Sequence, residues 1–421
     1  MRGEARRSTY AALRALRGSI AAVPVYRIDE QGASHEHARV YLTHPDGSAI
    51  DFQEPPEWPL PDAQMRDGWF DGLPYPLLDM RPQGFLGRNF AHEHAALLQV
   101  DENPENWSDD DAVYALSLLG ADVPGDLILG DAAYRLWLES VQVPAAAVTD
   151  PDLATRYAAL ADAALQQGAV DSSAGGEFPK FTALRQVGGT AADAVAHVIV
   201  KFSGSDHSPG ARRWADLLVC EHLASRVLPS HLQIPAAKSA IHRAGGRTFL
   251  EVTRFDRHGR HGRSGMLSLT AINAALLGAS AGPWPVTAAK LGPLGLLDES
   301  ALETIARLWH FGRLIGNTDM HEGNLSFMPP LAGASRLRVT PAYDMLPMLY
   351  APVRGVEMVA KTYAPQLPLP GERSAWRAAA QAAIAFWALA ADDKRISEEF
   401  RTVCAHNNTA LQALASHPAV A

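Results

Sequence analysis

The chain has 421 residues, 47% of them hydrophobic and 20% charged. At about 100–200 residues per domain, that is two or three structural units with a core of ordinary size, which excludes general disorder. Lys and Arg number 37 against 46 Asp and Glu, so the net charge is −9, which argues against a general nucleic-acid binder.

Residues 1–18 form a basic tail carrying Arg2, Arg6, Arg7, Arg14 and Arg17 but no apolar segment of the secretory kind. Residues 20–55 alternate in the manner of strands joined by turns, among them His44-Pro-Asp-Gly. Residues 52–90 are rich in Pro, Trp and Gly and are expected to be irregular. Helical patterns return near 91–99, 109–120, 131–139 and 150–168. A second β-rich stretch spans 178–202 and is followed by a helix at 211–228. Short strands are expected at 236–242 and 247–253. From 267 onward the pattern is mostly helical, with long helices at 301–315, 373–390 and 396–415. Strands first and helices last predict an α+β fold rather than a wound βαβ sheet.

No apolar run approaches the roughly 20 residues of a membrane-crossing helix, so no membrane role is expected. The cysteines are Cys220 and Cys404, with no C-x-x-C pair, which fits a reducing cytoplasm better than an oxidising compartment. The local histidine pairs His35 and His37, His92 and His94, and His258 and His261 have no neighbouring Cys and no H-E-x-x-H helix. They are read as surface residues.

Four segments carry chemistry. Ser172 to Thr182 contains Gly175 and Gly176 just before a strand, where bare backbone N–H groups can face an anion. Lys201 closes the apolar strand Val198-Ile-Val-Lys, and a buried ammonium there needs an anionic partner. Helical projection of 211–228 supplies one. Glu221 falls within the stripe of Trp214, Leu217, Leu218 and Leu228, while Asp216 falls on the far side. A strand lysine paired with a helix glutamate is the protein-kinase device for holding nucleotide phosphates. The third segment, Gly316 to Met328, comes after a long apolar helix that Gly316 is placed to end. It holds Asp319 and Asn324 at the Asp-x4-Asn spacing of a kinase catalytic loop, in which the Asp takes the substrate hydroxyl proton and the Asn offers oxygen to Mg2+. The fourth, Val339 to Leu346, places Asp344 after a short strand, where a carboxylate can hold the same metal. Glycine loop, Lys, Glu, Asp-x4-Asn and Asp succeed one another in the functional order of a kinase.

With these motifs in place the chain resembles the HipA-type toxin serine/threonine kinases. The likeness runs through Ser173-Ala-Gly-Gly-Glu-Phe-Pro-Lys, His197-Val-Ile-Val-Lys, Thr253-Arg-Phe-Asp-Arg, Asn317-Thr-Asp-Met-His-Glu-Gly-Asn and Pro341-Ala-Tyr-Asp. The stretch from Trp69 to Asn89 is similar to the YjjJ subgroup. The resemblance covers roughly residues 20–415. It implies a two-lobed, protein-kinase-like fold, with a β-rich part over 19–254, its nucleotide-binding lobe at about 165–254, and a helical lobe over 255–421. It further implies that ATP and Mg2+ are used to phosphorylate a protein hydroxyl. Gly175, Gly176, Glu177, Phe178, Pro179 and Lys180 would cover the nucleotide. Lys201 and Glu221 would serve its phosphates, and Thr253, Arg254 and Phe255 would form the hinge beside adenine. Asp319 would be the catalytic base. The stretches His321 to Asn324 and Tyr343 to Leu346, with His321, Asn324, Tyr343 and Asp344 foremost, would line nucleotide and metal, with Asn324 and Asp344 as metal ligands. Ser173 aligns with a regulatory autophosphorylation site. Thr253 departs from the family pattern, which often has Glu there, and this puts a side-chain hinge contact in doubt.

The resemblance also implies a helix-turn-helix antitoxin as partner and an aminoacyl-tRNA synthetase as one kind of substrate. Residues 6–14 look like the last piece of the winged-helix segment that precedes the kinase in the YjjJ subgroup. Such a remnant is not expected to bind DNA by itself. Two other readings stay open: a small-molecule phosphotransferase, and a non-catalytic pseudo-kinase that binds an antitoxin or DNA.

Overall fold

The computed structural model describes residues 10–167, 178–188, 194–353, 358–359 and 361–420. The N-terminal part is built on an antiparallel sheet of β1 (Val23–Ile28), β2 (Ser34–Thr43), β3 (Gly47–Phe52), β4 (Trp69–Phe70) and β5 (Leu127–Leu129), in the order β4-β3-β2-β1-β5. Between β3 and β4 lies the short helix α1 (Ala63–Arg66). After β4 come α2 (Gly84–Leu98), α3 (Asp109–Leu119) and, beyond β5, α4 (Asp131–Gln142). The stretch expected to be irregular therefore contains α1 and β4 and ends in the first half of α2. Ile28, Ile128, Ala133 and Trp137 pack α4 onto the sheet.

The second sheet has the order β6-β7-β9-β8, from β6 (Lys180–Gln186), β7 (Val195–Phe202), β8 (Ser239–Ala244) and β9 (Arg247–Thr253). Its two faces are both covered. Val198, Val200 and Phe202 alternate along β7 toward a cluster with Tyr157 and Ala161 of α5 (Leu153–Gln167) and Phe85 of α2. The other face meets α6 (Pro209–Val227), whose first turn is capped by Ser208 accepting from the Ala211 N–H at 3.1 Å. The period-2 alternation that sends Val200 to α5 sends Lys201 to α6.

Residues 257–263 form the hairpin β10 (Arg257–His258) and β11 (Gly262–Arg263). A three-stranded sheet comes next, made of β12 (Leu267–Ser268), β13 (Ser326–Met328) and β14 (Arg338–Val339). Around it lie α7 (Leu269–Ile272), α8 (Trp284–Ala289), α9 (Glu299–Leu314), α10 (Arg373–Asp392) and α11 (Glu398–Ala415). Asp298 caps α9 by accepting from the Ala301 N–H at 2.9 Å, and Gly316 leaves it in the left-handed region at φ 75°. The C-terminal part is largely helical, as expected, and the small sheet within it is what delivers the two polar loops of the site.

One expectation fails on burial: His37 is not a surface residue; it is 7% exposed. The far side of α6, where Asp216 falls, is also covered: the Asp216 carboxylate accepts from the N–H of Ser397 at 2.7 Å and from its hydroxyl at 2.6 Å.

Candidate active site

Strand β7 and helix α6 place two opposite charges on facing surfaces. Lys201 Nζ donates to Glu221 Oε1 at 2.7 Å and Oε2 at 2.8 Å, and both residues are buried. The same ammonium donates to Asp344 Oδ1 at 2.5 Å. One cation thus joins strand, helix and the loop after β14. Burial alone would drive the Lys201 ammonium toward its neutral form, but Asp344 and then Glu221 outweigh it and hold its pKa above the usual lysine value. Burial raises Glu221, Lys201 pulls it back, and the charge of Asp344 adds to the rise. Asp344 ends below the usual carboxylate range, since Lys201, with help from Lys180 and His321, overcomes its burial. The ammonium and two carboxylates carry one net negative charge, with Lys201 and Glu221 buried and Asp344 partly open to solvent. A further cation beside Asp344 would offset that charge.

Asp344 takes a left-handed backbone, φ 55°, which is costly for a residue with a Cβ. Asn317 holds it there: its Nδ2 donates to the Asp344 carbonyl at 3.1 Å. The other end of the same amide, Oδ1, accepts from the Asp319 N–H at 3.0 Å. Asn324 Nδ2 then donates to the Asp319 carbonyl at 2.8 Å. A continuous chain of bonds therefore runs Lys201, Asp344, Asn317, Asp319, Asn324. It leaves the Asp319 carboxylate on an exposed residue and turns the amide oxygen of Asn324 away from the loop backbone.

The loop is anchored from below by Glu322, 3% exposed. Its carboxylate accepts from Asn273 Nδ2 at 2.8 Å, Thr287 Oγ1 at 2.6 Å and the Gly282 N–H at 3.2 Å. Trp284 Nε1 donates to the His321 carbonyl at 2.9 Å, and Tyr343 OH donates to the Gly323 carbonyl at 2.9 Å. Asn317 belongs to the loop motif, yet sequence reasoning gives it no role; Glu322 falls in the stretch expected to line nucleotide and metal, whereas its carboxylate is buried against Asn273, Gly282 and Thr287. A pair of Asn and a Glu inside a kinase-like loop is the available signal, but their partners Asn273, Thr287 and Gly282 lie far away in sequence. A cleft lined by Ala237, Val252, Ala342, Tyr343 and Met345 runs up to Glu221 and Asp344. Phe178 packs edge-on to Trp214, with its ring 5.8 Å from Lys201 Nζ, and Lys180 pairs with Lys201 across β6 and β7. Ser173, Gly175, Gly176 and Glu177 lie outside the described residues.

The hinge segment sends its side chains in different directions. Phe255 faces Tyr343, ring centroids 5.8 Å apart, at the edge of the site. Arg254 does not turn toward it. Its guanidinium grips Asp256 at 3.0 and 2.9 Å and reaches Asp122 at 3.3 Å. Arg257 joins the same cluster, at 2.7 Å from Asp256 and 2.9 Å from Asp122. Two arginines beside buried Asp256 hold its pKa down at about 2 despite burial. Arg254, Asp256 and Arg257 thus tie the end of β9 to the N-terminal part. Asp79, inside the Trp69–Asn89 stretch, does the same by accepting from the Ser268 backbone N–H and, at 2.7 Å, from its hydroxyl at the start of α7.

Two family models match this chain: the YjjJ-like toxin middle domain over residues 20–138 and the HipA-like C-terminal domain over residues 172–411. Toxin YjjJ of Escherichia coli (strain K12) is 38% identical over 405 residues, which is 95% of this chain and 86% of that protein. Among solved structures, a chain from the complex of the Shewanella oneidensis MR-1 toxin–antitoxin system HipA, HipB and its operator DNA superposes with a TM-score of 0.52. The identity is 14%, over 93% of this chain and 96% of that one, so the likeness is one of fold. The Helicobacter pylori proinflammatory kinase CtkA aligns at TM-score 0.38 and 12% identity over 58% of this chain and 92% of that one, too loose a match to carry an argument. With both family models matched and close identity along nearly its whole length, the chain belongs to the HipA-like toxin family, in its YjjJ-like branch.

Proposed function

We propose that the chain is an ATP- and Mg2+-dependent serine/threonine protein kinase of HipA type. The observation that carries this reading is the Lys201 ammonium, bonded at once to Glu221 and Asp344, with Asp344 linked through Asn317 to the Asp319–Asn324 loop. In this reading Lys201 binds the nucleotide phosphates and Glu221 fixes its position. The base would lie near Val252 and Tyr343, at the mouth of the cleft they line. Asn324 and Asp344 hold the metal, and the surplus negative charge around Asp344 suits a divalent cation. Bound there, Mg2+ would neutralise phosphate charge as the γ-phosphoryl group moves. Asp319, exposed and joined to Asn317 and Asn324 through its backbone, accepts the proton of the incoming hydroxyl with its carboxylate. Glu322 and Asn317 keep that carboxylate at a fixed height relative to Asp344, so most of the rate gain comes from positioning and charge.

The acceptor in this reading is a protein hydroxyl, and Ser173 is the first to examine. By analogy with the HipA–HipB complex, a small DNA-binding antitoxin is the partner proposed. The test is mass spectrometry of the purified chain after incubation with Mg-ATP, alone and with candidate protein acceptors. Phosphoserine or phosphothreonine in the wild type, lost in Asp319→Ala with its fold intact, supports the reading. Phosphate that persists in Asp319→Ala, or transfer only to small alcohols, removes it.

A further inference from the structure

We propose that His35, His37 and Glu54 form a zinc-binding site in the N-terminal part, remote in sequence from the kinase machinery. His35 and His37 stand two apart on β2, and Glu54 comes after the neighbouring strand β3, whose register brings Gln53 N–H to the His37 carbonyl at 2.9 Å. One ligand atom from each of the three residues lies within 4.8 Å of the others.

Two details distinguish this from an ordinary ion pair. His35 Nε2 is 2.9 Å from Glu54 Oε2, yet it is buried without a hydrogen-bond partner among the described residues: the two atoms converge but are not aligned to share a proton. His37 is 7% exposed, and its Nδ1 is also buried with no partner among those residues. Buried polar atoms without partners are rare in native folds, and two in one three-residue cluster ask for a common cause. A metal supplies it. With bonds of about 2.0–2.1 Å, tetrahedral ligand atoms sit about 3.3 Å apart, a spacing within reach of small side-chain rotations here.

The backbone shows how His37 comes to be there. Val25 pairs with Ala38 and Tyr26 with Glu36, so His37 is the extra residue of a bulge on β2. A bulge re-aims a side chain, and here His37 and Ala38 are buried in succession. The surrounding charge also suits a cation. The neighbouring Arg27 is already matched by Asp126, at 2.9 Å, and by Glu57, so those three groups sum to one negative charge. Two imidazoles and a carboxylate favour Zn2+ over the hard ions Mg2+ and Ca2+, and leave a fourth position for water or a ligand. The site would clip β2 to the segment beyond β3.

The test is zinc titration of the metal-stripped full-length chain against a chromophoric chelator, with cobalt substitution as its second stage. We expect one tight site per chain and an intense visible Co2+ band of tetrahedral type. Glu54→Gln, at an exposed side chain, should weaken binding by at least about tenfold. His37→Asn should abolish the cobalt band. His92→Asn, at a separate His–Glu pair with Glu102 3.6 Å away, should change neither. Absence of stoichiometric zinc, a weak octahedral cobalt spectrum, or unchanged affinity in Glu54→Gln would overturn the site and leave a plain ion pair. If His37→Asn does not fold, the Glu54→Gln titration and the wild-type cobalt spectrum decide alone.

Discussion

Replacing Glu221 with Gln probes the pair at the centre of the proposed nucleotide site. The change keeps shape and one acceptor oxygen but removes a charge bonded to Lys201 at 2.7 and 2.8 Å. Breaking a buried ion pair costs about 3–5 kcal/mol when the surviving charge is left alone. Here it is not alone, because Asp344 stays at 2.5 Å from the same ammonium. The loss should therefore approach that of a hydrogen bond to a charged group, about 1.5–3 kcal/mol. For a lobe of this size, each kcal/mol lowers Tm by about 2–4 °C. The effect on catalysis should be larger. Freed from Glu221, Lys201 is drawn onto Asp344, and both groups leave the places that phosphate and metal need. A displacement near 1 Å costs about a hundredfold in rate. Transfer from γ-labelled ATP measures the rate, and urea unfolding measures the stability. The double variant Glu221→Gln with Asp344→Asn should show strong non-additivity, since both act on one ammonium. Near wild-type kcat in Glu221→Gln, with normal stability, would refute the reasoning, because Lys201 would then hold its place without its helix partner.

Glu322→Ala should lower both kcat and stability, the latter by about 1–3 kcal/mol, because donors on Asn273, Thr287 and Gly282 lose their buried acceptor. ATP affinity measured by calorimetry should change far less than kcat. Stability should also fall with acid through His222. Burial, with Arg395 and Arg226 adding to it, holds this imidazole at a pKa of about 4, below its ordinary 6.5. The folded state therefore resists the proton that the unfolded chain takes up. His222 contributes its full stability above about pH 6.5 and loses it as pH falls toward 4. Urea unfolding at pH 7 and pH 5 should show this loss, and His222→Gln should reduce the difference.

How far a residue's role is legible in the sequence depends on what constrains it. Lys201 and Glu221 can be paired because strand alternation and a helical stripe each give a direction, and the two directions point at each other. That Asp319, Asn324 and Asp344 come together follows from spacing and order, since the short loop fixes the first two. A helical wheel puts Asp216 opposite the Glu221 stripe but does not show what covers that side; Ser397, far along the chain, does. The side-chain partners of Arg254 are not legible from its neighbours in sequence. Its side chain is taken by Asp256 and by Asp122, a residue of the N-terminal part that no local pattern connects to β9. His37 defeats a surface reading because the absence of a metal motif says nothing about burial, and a bulge on β2 places it beside the buried Ala38.

The central claim is that Asp344 holds the metal that joins a nucleotide to Lys201 and Asn324. ATP binding to the full chain, measured by calorimetry with and without Mg2+, tests it most directly in the wild type and in Asp344→Asn. The account predicts that Mg2+ tightens ATP binding in the wild type and has little effect in the variant. Equal Mg2+ dependence in both, or no ATP binding by the wild type at all, would contradict it.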